Sequence, residues 1–320
     1  MNKAAFNCWV MTDGKVGHQN QCWGLAETLG LEVQLKKIML RFPYNIFSPY
    51  VPLPFQWAAS TESDSLSPPY PDVIIASGRP AIVPALHVKK KSGGKTLCVY
   101  LQTPPRYGAD FDLVVAPQHD QTTGANVVLT DGALHRVSAQ KLENSRAEFP
   151  LLAHIQSPKL AVLIGGSSRH YQFTPQLCHK LVDDLLKLVE QGWQLMITTS
   201  RRTGEENSNY LQEKLQAKAA FFWDGQGANP YFALLAHADA ILATEDSVSM
   251  ASEAASTGKP VYILPLAGGS PKFQRFHQHL QAIGATRIFK GTIETNAPAY
   301  VLQDNQKIAI AVQQLLEKRG

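Results

Sequence analysis

The stretch Ala240–Pro265 (AILATEDSVSMASEAASTGKPVYILP) constrains the fold most. An apolar run, Ile241–Ala243, stops at the polar cluster Thr244-Glu245-Asp246-Ser247. A small-residue stretch then leads to Gly258-Lys259-Pro260 and a second apolar run, Val261–Leu264. This order reads as strand, helix start, helix, turn, strand. In such a βαβ unit the helix N-terminus lies at the carboxyl edge of a parallel sheet, where its N–H groups and hydroxyls can meet a phosphorylated ligand. Ser247, Ser249 and Met250 fall at that helix start, and Glu253 stands further along the helix as a candidate partner for a ribose hydroxyl.

The same alternation runs through the rest of the chain. Asn7–Met11, Val33–Ile38, Asp72–Ser77, Thr96–Gln102, Phe111–Ala116 and Asn126–Leu129 read as strands, and Cys22–Leu29 and Arg79–Lys91 as helices. Stretch 41–67, rich in Pro, Ser and aromatic residues, has no period and reads as an irregular segment with short helical turns, lying over a cleft. The pattern breaks at Pro150 and Pro158, then restarts as strand, loop and helix from Lys159. With 320 residues, 44% of them hydrophobic, each half can bury its own core. The expected fold is therefore α/β: two parallel-sheet domains facing a central cleft, residues 1–150 and 151–300, followed by a C-terminal helix in 301–320.

Composition excludes several classes. Thirty basic against 26 acidic residues give a net charge of only +4, too weak to argue for nucleic acid. The four cysteines, Cys8, Cys22, Cys98 and Cys178, show no CxxC or zinc-like spacing, which fits reduced thiols. No apolar run approaches the ~20 residues of a membrane span. The expectation is a soluble, cytoplasmic protein, at most peripheral to the inner face of a membrane. Asp183-Asp184 lies within a helical pattern and reads as a solvated face, and no metal site is expected.

Two strand-end loops mirror each other. The first, after Met11, runs Thr12-Asp13-Gly14-Lys15-Val16-Gly17-His18-Gln19-Asn20-Gln21. The second, after Ile164, runs Gly165-Gly166-Ser167-Ser168-Arg169-His170. Glycine allows positive φ and close backbone approach, so N–H groups can face an oxyanion. The plainer alternative is that the glycines only turn the chain, but the hydroxyls and Arg169 beside Gly165–Ser168 favour phosphate. Neither loop is a GxGxxG fingerprint, and Gly93-Gly94-Lys95-Thr96 lacks the upstream glycine of a P-loop. A third strand end carries Ser200-Arg201-Arg202-Thr203, whose guanidinium groups could pair with diphosphate oxygens. His18 is the candidate general base and Asp13 its orienting partner or substitute. Glu245-Asp246 is read as hydrogen-bonding to a sugar or to a helix N-terminus, with a paired-carboxylate hydrolase as the other option. Trp223 stands either beside a base or in the core.

Taken together, DGKVGHQNQCWGLAETLG, GGSSRHY, TSRRT and TEDSVSMASEAASTGKPVYILP resemble the elongated-mitochondria (mitochondrial fission protein) family, which is related to GT-B glycosyltransferases. The resemblance implies two Rossmann-like domains, with the terminal helix crossing back onto the first. It carries Gly165–Ser168 to a diphosphate loop, Arg201 to a phosphate-binding base, Ser247–Met250 to an anion-binding helix start and Glu253 to a ribose acid. His18 falls in an acceptor loop that also holds Gly14, Lys15, Gly17 and Asn20. The implied activity is metal-independent transfer of a sugar from a nucleoside-diphosphate donor to an envelope or lipid acceptor. No cofactor is called for beyond that substrate. The alternatives are a non-catalytic adaptor at membranes and a sugar-nucleotide epimerase.

Overall fold

A computed structural model describes residues 6–50, 54–294 and 297–319. The chain forms two compact units: Met1–Arg136 with Gln303–Gly320, and Val137–Leu302.

The first unit is built on β1 (Asn7–Thr12), α1 (Val16–Leu29), β2 (Glu32–Lys37), two single-turn helices α2 (Tyr44–Phe47) and α3 (Phe55–Ala58), β3 (Val73–Ser77), α4 (Ile82–Lys91), β4 (Leu97–Leu101), β5 (Leu113–Pro117) and β6 (Val127–Thr130). Its six strands lie in the order β2-β1-β3-β4-β5-β6, all parallel. Successive side chains of a strand serve opposite faces. Cys8, Val10, Val73 and Ile75 enter a core with Cys22 and Leu25 of α1. Trp9, Met11, Ile74 and Ala76 enter another with Ile82 and Ala85 of α4. Both faces are covered, which is why these strands read as unbroken apolar runs. Residues 51–53 of the irregular stretch lie outside the described residues.

The second unit contains α5 (Ala139–Glu148), β7 (Lys159–Ile164), β8 (Tyr171–Gln172), α6 (Pro175–Glu190), β9 (Gln194–Thr199), α7 (Glu205–Leu215), β10 (Phe221–Trp223), α8 (Tyr231–His237), β11 (Ala240–Thr244), α9 (Val248–Ala255), β12 (Val261–Leu264), β13 (Ala267–Gly268), α10 (Pro271–Ala282) and β14 (Arg287–Ile288). Six parallel strands run β10-β9-β7-β11-β12-β14, and β13 pairs antiparallel with β8.

The division falls at Arg136–Val137 rather than at the 150/151 break read from the prolines. The reason is α5. Val137 and Leu152, with Leu142 and Phe149, join the core of the second unit, and Arg146 donates to the Ala236 carbonyl at the end of α8 at 2.9 Å. Asp184 departs from the solvated-face reading. It is 7% exposed, pairs with Lys180 and Lys187 at 2.5 and 3.6 Å, and lies against Gly291. All four cysteines are buried free thiols.

After the second unit the chain returns to the first as α11 (Asp304–Glu317). Ile308, Ala309 and Val312 join the α1 core. The start of α11 is fixed by buried polar bonds. Asp304 accepts from the Asp131 and Gly132 N–H groups at 3.0 and 2.8 Å. Asn305 donates to the His135 carbonyl at 2.7 Å and accepts from the His135 N–H at 3.2 Å. Asp304→Ala strands two N–H donors, each costing ~1–3 kcal/mol when buried and unpaired. We expect a loss of about 2–4 kcal/mol by chemical denaturation, with Asp304→Asn losing less because one acceptor remains. A loss below about 0.5 kcal/mol would show that water replaces the carboxylate.

Candidate functional site

Parallel register brings the strand-end loops of each unit to one edge. In the first unit Thr12 pairs with Ser77, so Asp13 and Gly78 emerge side by side. Gly14, at φ +81°, turns the chain into α1. Asp13 then accepts from His18 Nδ1 at 2.7 Å and pairs with Lys15 Nζ at 3.0 Å. Partial burial acts to raise the Asp13 carboxyl, but the bonds from His18 and Lys15 outweigh it and hold the group well below the usual carboxylate range. An ionised Asp13 accepts the Nδ1 proton, so the neutral ring presents Nε2 as its basic nitrogen. His18 Nε2 has no partner among the described residues.

Gly78 is part of this arrangement and was missed by sequence reasoning. Its φ is +91°, and a Cβ there would lie 3.0 Å from both Asp13 Cγ and His18 Nδ1. The signal was present: a Gly-Arg-Pro directly follows a buried strand. Among the other loop residues, Lys15 is exposed and Asn20 half-buried. Gly17 has no neighbour within 4 Å of an added Cβ, so packing does not require glycine there.

In the second unit Ile164 pairs with Thr199, and Leu163 with Ala243, so the loops after β7, β9 and β11 adjoin. The structure spends most of their predicted ligand groups on one another. Gly165 N–H donates to Thr244 Oγ1 at 2.8 Å. Ser167 and Ser168 N–H donate to the Arg202 and Tyr171 carbonyls, each at 2.8 Å. Ser200 and Thr203 hydroxyls both donate to the Gly165 carbonyl, at 2.6 and 2.7 Å. Ser167 Oγ accepts from Phe173 N–H at 3.0 Å. Of the four backbone N–H groups expected to face a phosphate, that of Gly166 alone has no partner among the described residues. Gly166, at φ +137°, has no room for a Cβ against the Arg202 carbonyl.

The two arginines differ. Arg202 Nη2 pairs at 2.6 Å with Asp246, whose side chain is fully buried, and Asp246 also accepts from Thr244 Oγ1 at 2.6 Å. Arg201 is exposed, with no ion pair among the described residues. Asp246 is thus a loop anchor rather than a helix cap. Ser247 caps α9 by accepting from Met250 N–H at 3.2 Å, which leaves the Val248 and Ser249 N–H groups as first-turn donors. Ser249 and Met250 are half-buried. Glu245 accepts from Leu266 N–H at 2.9 Å and, through its carbonyl, faces His277 Nε2 at 2.9 Å. Burial holds His277 below the ordinary imidazole value, so it donates from a neutral ring. Trp223 is half-buried and donates its indole N–H to the Gln226 carbonyl at 2.8 Å.

Glu253 is 8% exposed. Burial raises its carboxyl from 4.5 to about 7, against the Tyr231 hydroxyl bond that favours the charged form. That bond, Tyr231 Oη to Oε2 at 2.5 Å, was not foreseen, because 22 residues separate the partners. No group of three His, Cys, Asp or Glu side chains converges as a metal site among the described residues.

Two parallel six-strand α/β units, each carrying charged and glycine-bearing loops at its strand ends, define a GT-B-like fold. The chain belongs to the mitochondrial fission ELM1 family, whose family model matches residues 16–316. It is 29% identical over 277 residues to mitochondrial fission protein ELM1 of Arabidopsis thaliana, covering 78% of this chain and 65% of that protein. It therefore spans just under two thirds of that relative. Its fold is similar to that of UDP-GlcNAc 2-epimerase from Methanocaldococcus jannaschii, with a TM-score of 0.58 at 14% identity over 96% of this chain and 99% of the other. A UDP-glucosyltransferase from Polygonum tinctorium gives 0.51 at 8% identity, over 100% and 93%.

The Glu253 carboxyl makes stability pH-dependent in a defined direction. Its folded value lies above the unfolded one, so the folded state holds the extra proton between 4.5 and about 7. Stability is lost as pH rises through that window. Glu253→Gln removes the effect. The variant should gain on the native chain by on the order of 1–3 kcal/mol between about pH 5 and about pH 8 in denaturation midpoints. An equal difference at both pH values would count against a raised carboxyl.

Proposed function

We propose that this chain transfers a glycosyl group from a nucleoside-diphosphate sugar to a hydroxyl on a lipid-linked or cell-envelope acceptor, without a metal ion. The observation that carries the reading is the Asp13–His18 pair, 2.7 Å apart at the carboxyl end of β1. His18 Nε2 takes the acceptor's hydroxyl proton. The acceptor oxygen bonds to the anomeric carbon as that carbon's bond to the diphosphate oxygen breaks. Asp13 stabilises the imidazolium that forms. The departing diphosphate gains charge, which Arg201, the Gly166 N–H and the first-turn N–H groups of α9 are suited to offset. Glu253, held by Tyr231, accepts from the ribose hydroxyls. The GT-B-like fold and the family membership support a sugar-nucleotide ligand.

Calorimetry against a panel of nucleoside diphosphates and their sugars tests the donor. Arg201→Ala should weaken nucleoside diphosphate binding by about 1.5–3 kcal/mol more than binding of the free nucleoside. Equal losses for both would move Arg201 off the phosphates. With a donor in hand, His18→Ala should lower kcat by ~10²–10⁴-fold while the donor Kd barely changes. Asp13→Asn should also lower kcat, because the amide can hold the ring in the wrong tautomer. A chain that binds no sugar nucleotide would be the adaptor instead.

A further inference from the structure

The excursion from Arg41 to Trp57 in the first unit presents apolar side chains on its outer surface. Its base is closed by an antiparallel bridge between Leu40 and Ala59 and by the Arg41 N–H to Ala58 carbonyl bond at 2.9 Å. Tyr44 and Phe55 turn inward and line a small cavity with Val83 and Pro84 of α4. Five further large side chains among the described residues of this stretch are exposed: Phe42 75%, Trp57 63%, Ile46 57%, Tyr50 51% and Phe47 50%. Five large exposed apolar or aromatic side chains on one braced lobe exceed the scatter of single hydrophobics that a surface ordinarily carries.

Charge and backbone chemistry identify the occupant. No acidic residue occurs between Arg41 and Glu62. Three exposed arginines hold the lobe by its carbonyls. Arg41 donates to the Trp57 carbonyl. Arg79 donates to Ile46 and Ser48 carbonyls at 2.9 and 2.6 Å, and Arg106 to the Tyr50 carbonyl at 3.2 Å. A protein partner could supply donors to carbonyls it covered, but lipid chains cannot. Here those carbonyls are already paired, within the apolar lobe itself. Each guanidinium carries five donors and keeps some for a phosphate oxygen. Trp, Tyr and Phe beside Arg is the side-chain set that settles at the headgroup level.

We propose that this lobe is a membrane-docking wedge: Phe42, Ile46, Phe47, Tyr50 and Trp57 enter the outer layer of a bilayer while Arg41, Arg79 and Arg106 meet anionic headgroup phosphates. The proposal does not depend on sugar transfer and is tested without donor or acceptor.

The whole chain is floated with vesicles of phosphatidylcholine plus phosphatidylglycerol, and with phosphatidylcholine alone. The native chain should float with the anionic vesicles, less so as salt rises from about 0.1 to about 0.5 M. The triple variant Phe42→Ser, Phe47→Ser, Trp57→Ser should lose at least about tenfold in bound fraction, since each side chain contributes by its buried apolar area. Brominated lipid should quench the native chain's tryptophan fluorescence, and Trp57→Phe should remove most of that quenching yet still float. Three results would overturn the wedge: no flotation of the native chain with either vesicle, equal flotation of the triple variant, or a native dimer that the triple variant dissolves, which would assign the lobe to self-association.

Discussion

A parallel strand cannot return to its neighbour through a tight turn, so each crossover must carry a helix or long loop over a face of the sheet. Two consequences organise both units of this protein. The inner strands are covered on both faces, so their residues are apolar at nearly every position, as in Leu160–Ile164 and Ile241–Ala243, whereas the edge strand β2 is mostly polar and has no buried residue. Within each six-strand parallel sheet the carboxyl ends of the strands also fall on one edge, and the candidate loops of that unit are gathered there. The pairing of Thr12 with Ser77 and of Ile164 with Thr199 then decides which loops touch. The Asp13–His18–Gly78 contact and the Gly165–Ser200–Asp246 cluster both follow from that register.

At the strand ends of the second unit, polar groups divide between holding the loops and remaining open. Gly165 has its carbonyl held by two hydroxyls and its N–H taken by a third. Asp246 neutralises Arg202 from a fully buried position. A buried charge without a partner is costly, so this pair is tied to the packing of the loops. Among the described residues, Arg169, Arg201, the Gly166 N–H and the first-turn N–H groups of α9 keep no such partner, a smaller set than the serine- and arginine-rich motifs present on paper. In the first unit Asp13 is the constrained group: it holds the His18 imidazole through Nδ1 and Lys15 through its other oxygen, and Nε2 has no partner among the described residues.

Arg79 links two features of the first unit. It directly follows Gly78, which lies against the Asp13–His18 pair, and its guanidinium holds the carbonyls of Ile46 and Ser48 in the apolar lobe. The end of β3 therefore contacts the Asp13–His18 pair and the lobe at once, through the backbone of one residue and the side chain of the next.

The sequence by itself determined the alternation of strand and helix, the loops in which the polar groups would gather, a helix start at Asp246-Ser247 and a terminal helix within 301–320. These are local properties: apolar runs, turn residues and cap chemistry act within a few positions along the chain. Tertiary structure decided which of those groups remain available. Asp184 read as part of a solvated helix face and Glu253 as a ribose partner, yet packing buries both, because a helix pattern does not say which neighbour will cover a given turn. Glu253 meets Tyr231, Asp246 meets Arg202, and Gly78 meets His18 across gaps in sequence that no spacing rule spans. The border at Arg136–Val137 was likewise out of reach, since α5 belongs to the second unit only through the apolar side chains it buries there. Long-range register and burial are set by the packing of whole sheets, and the free energy that fixes them is shared among residues far apart in the chain.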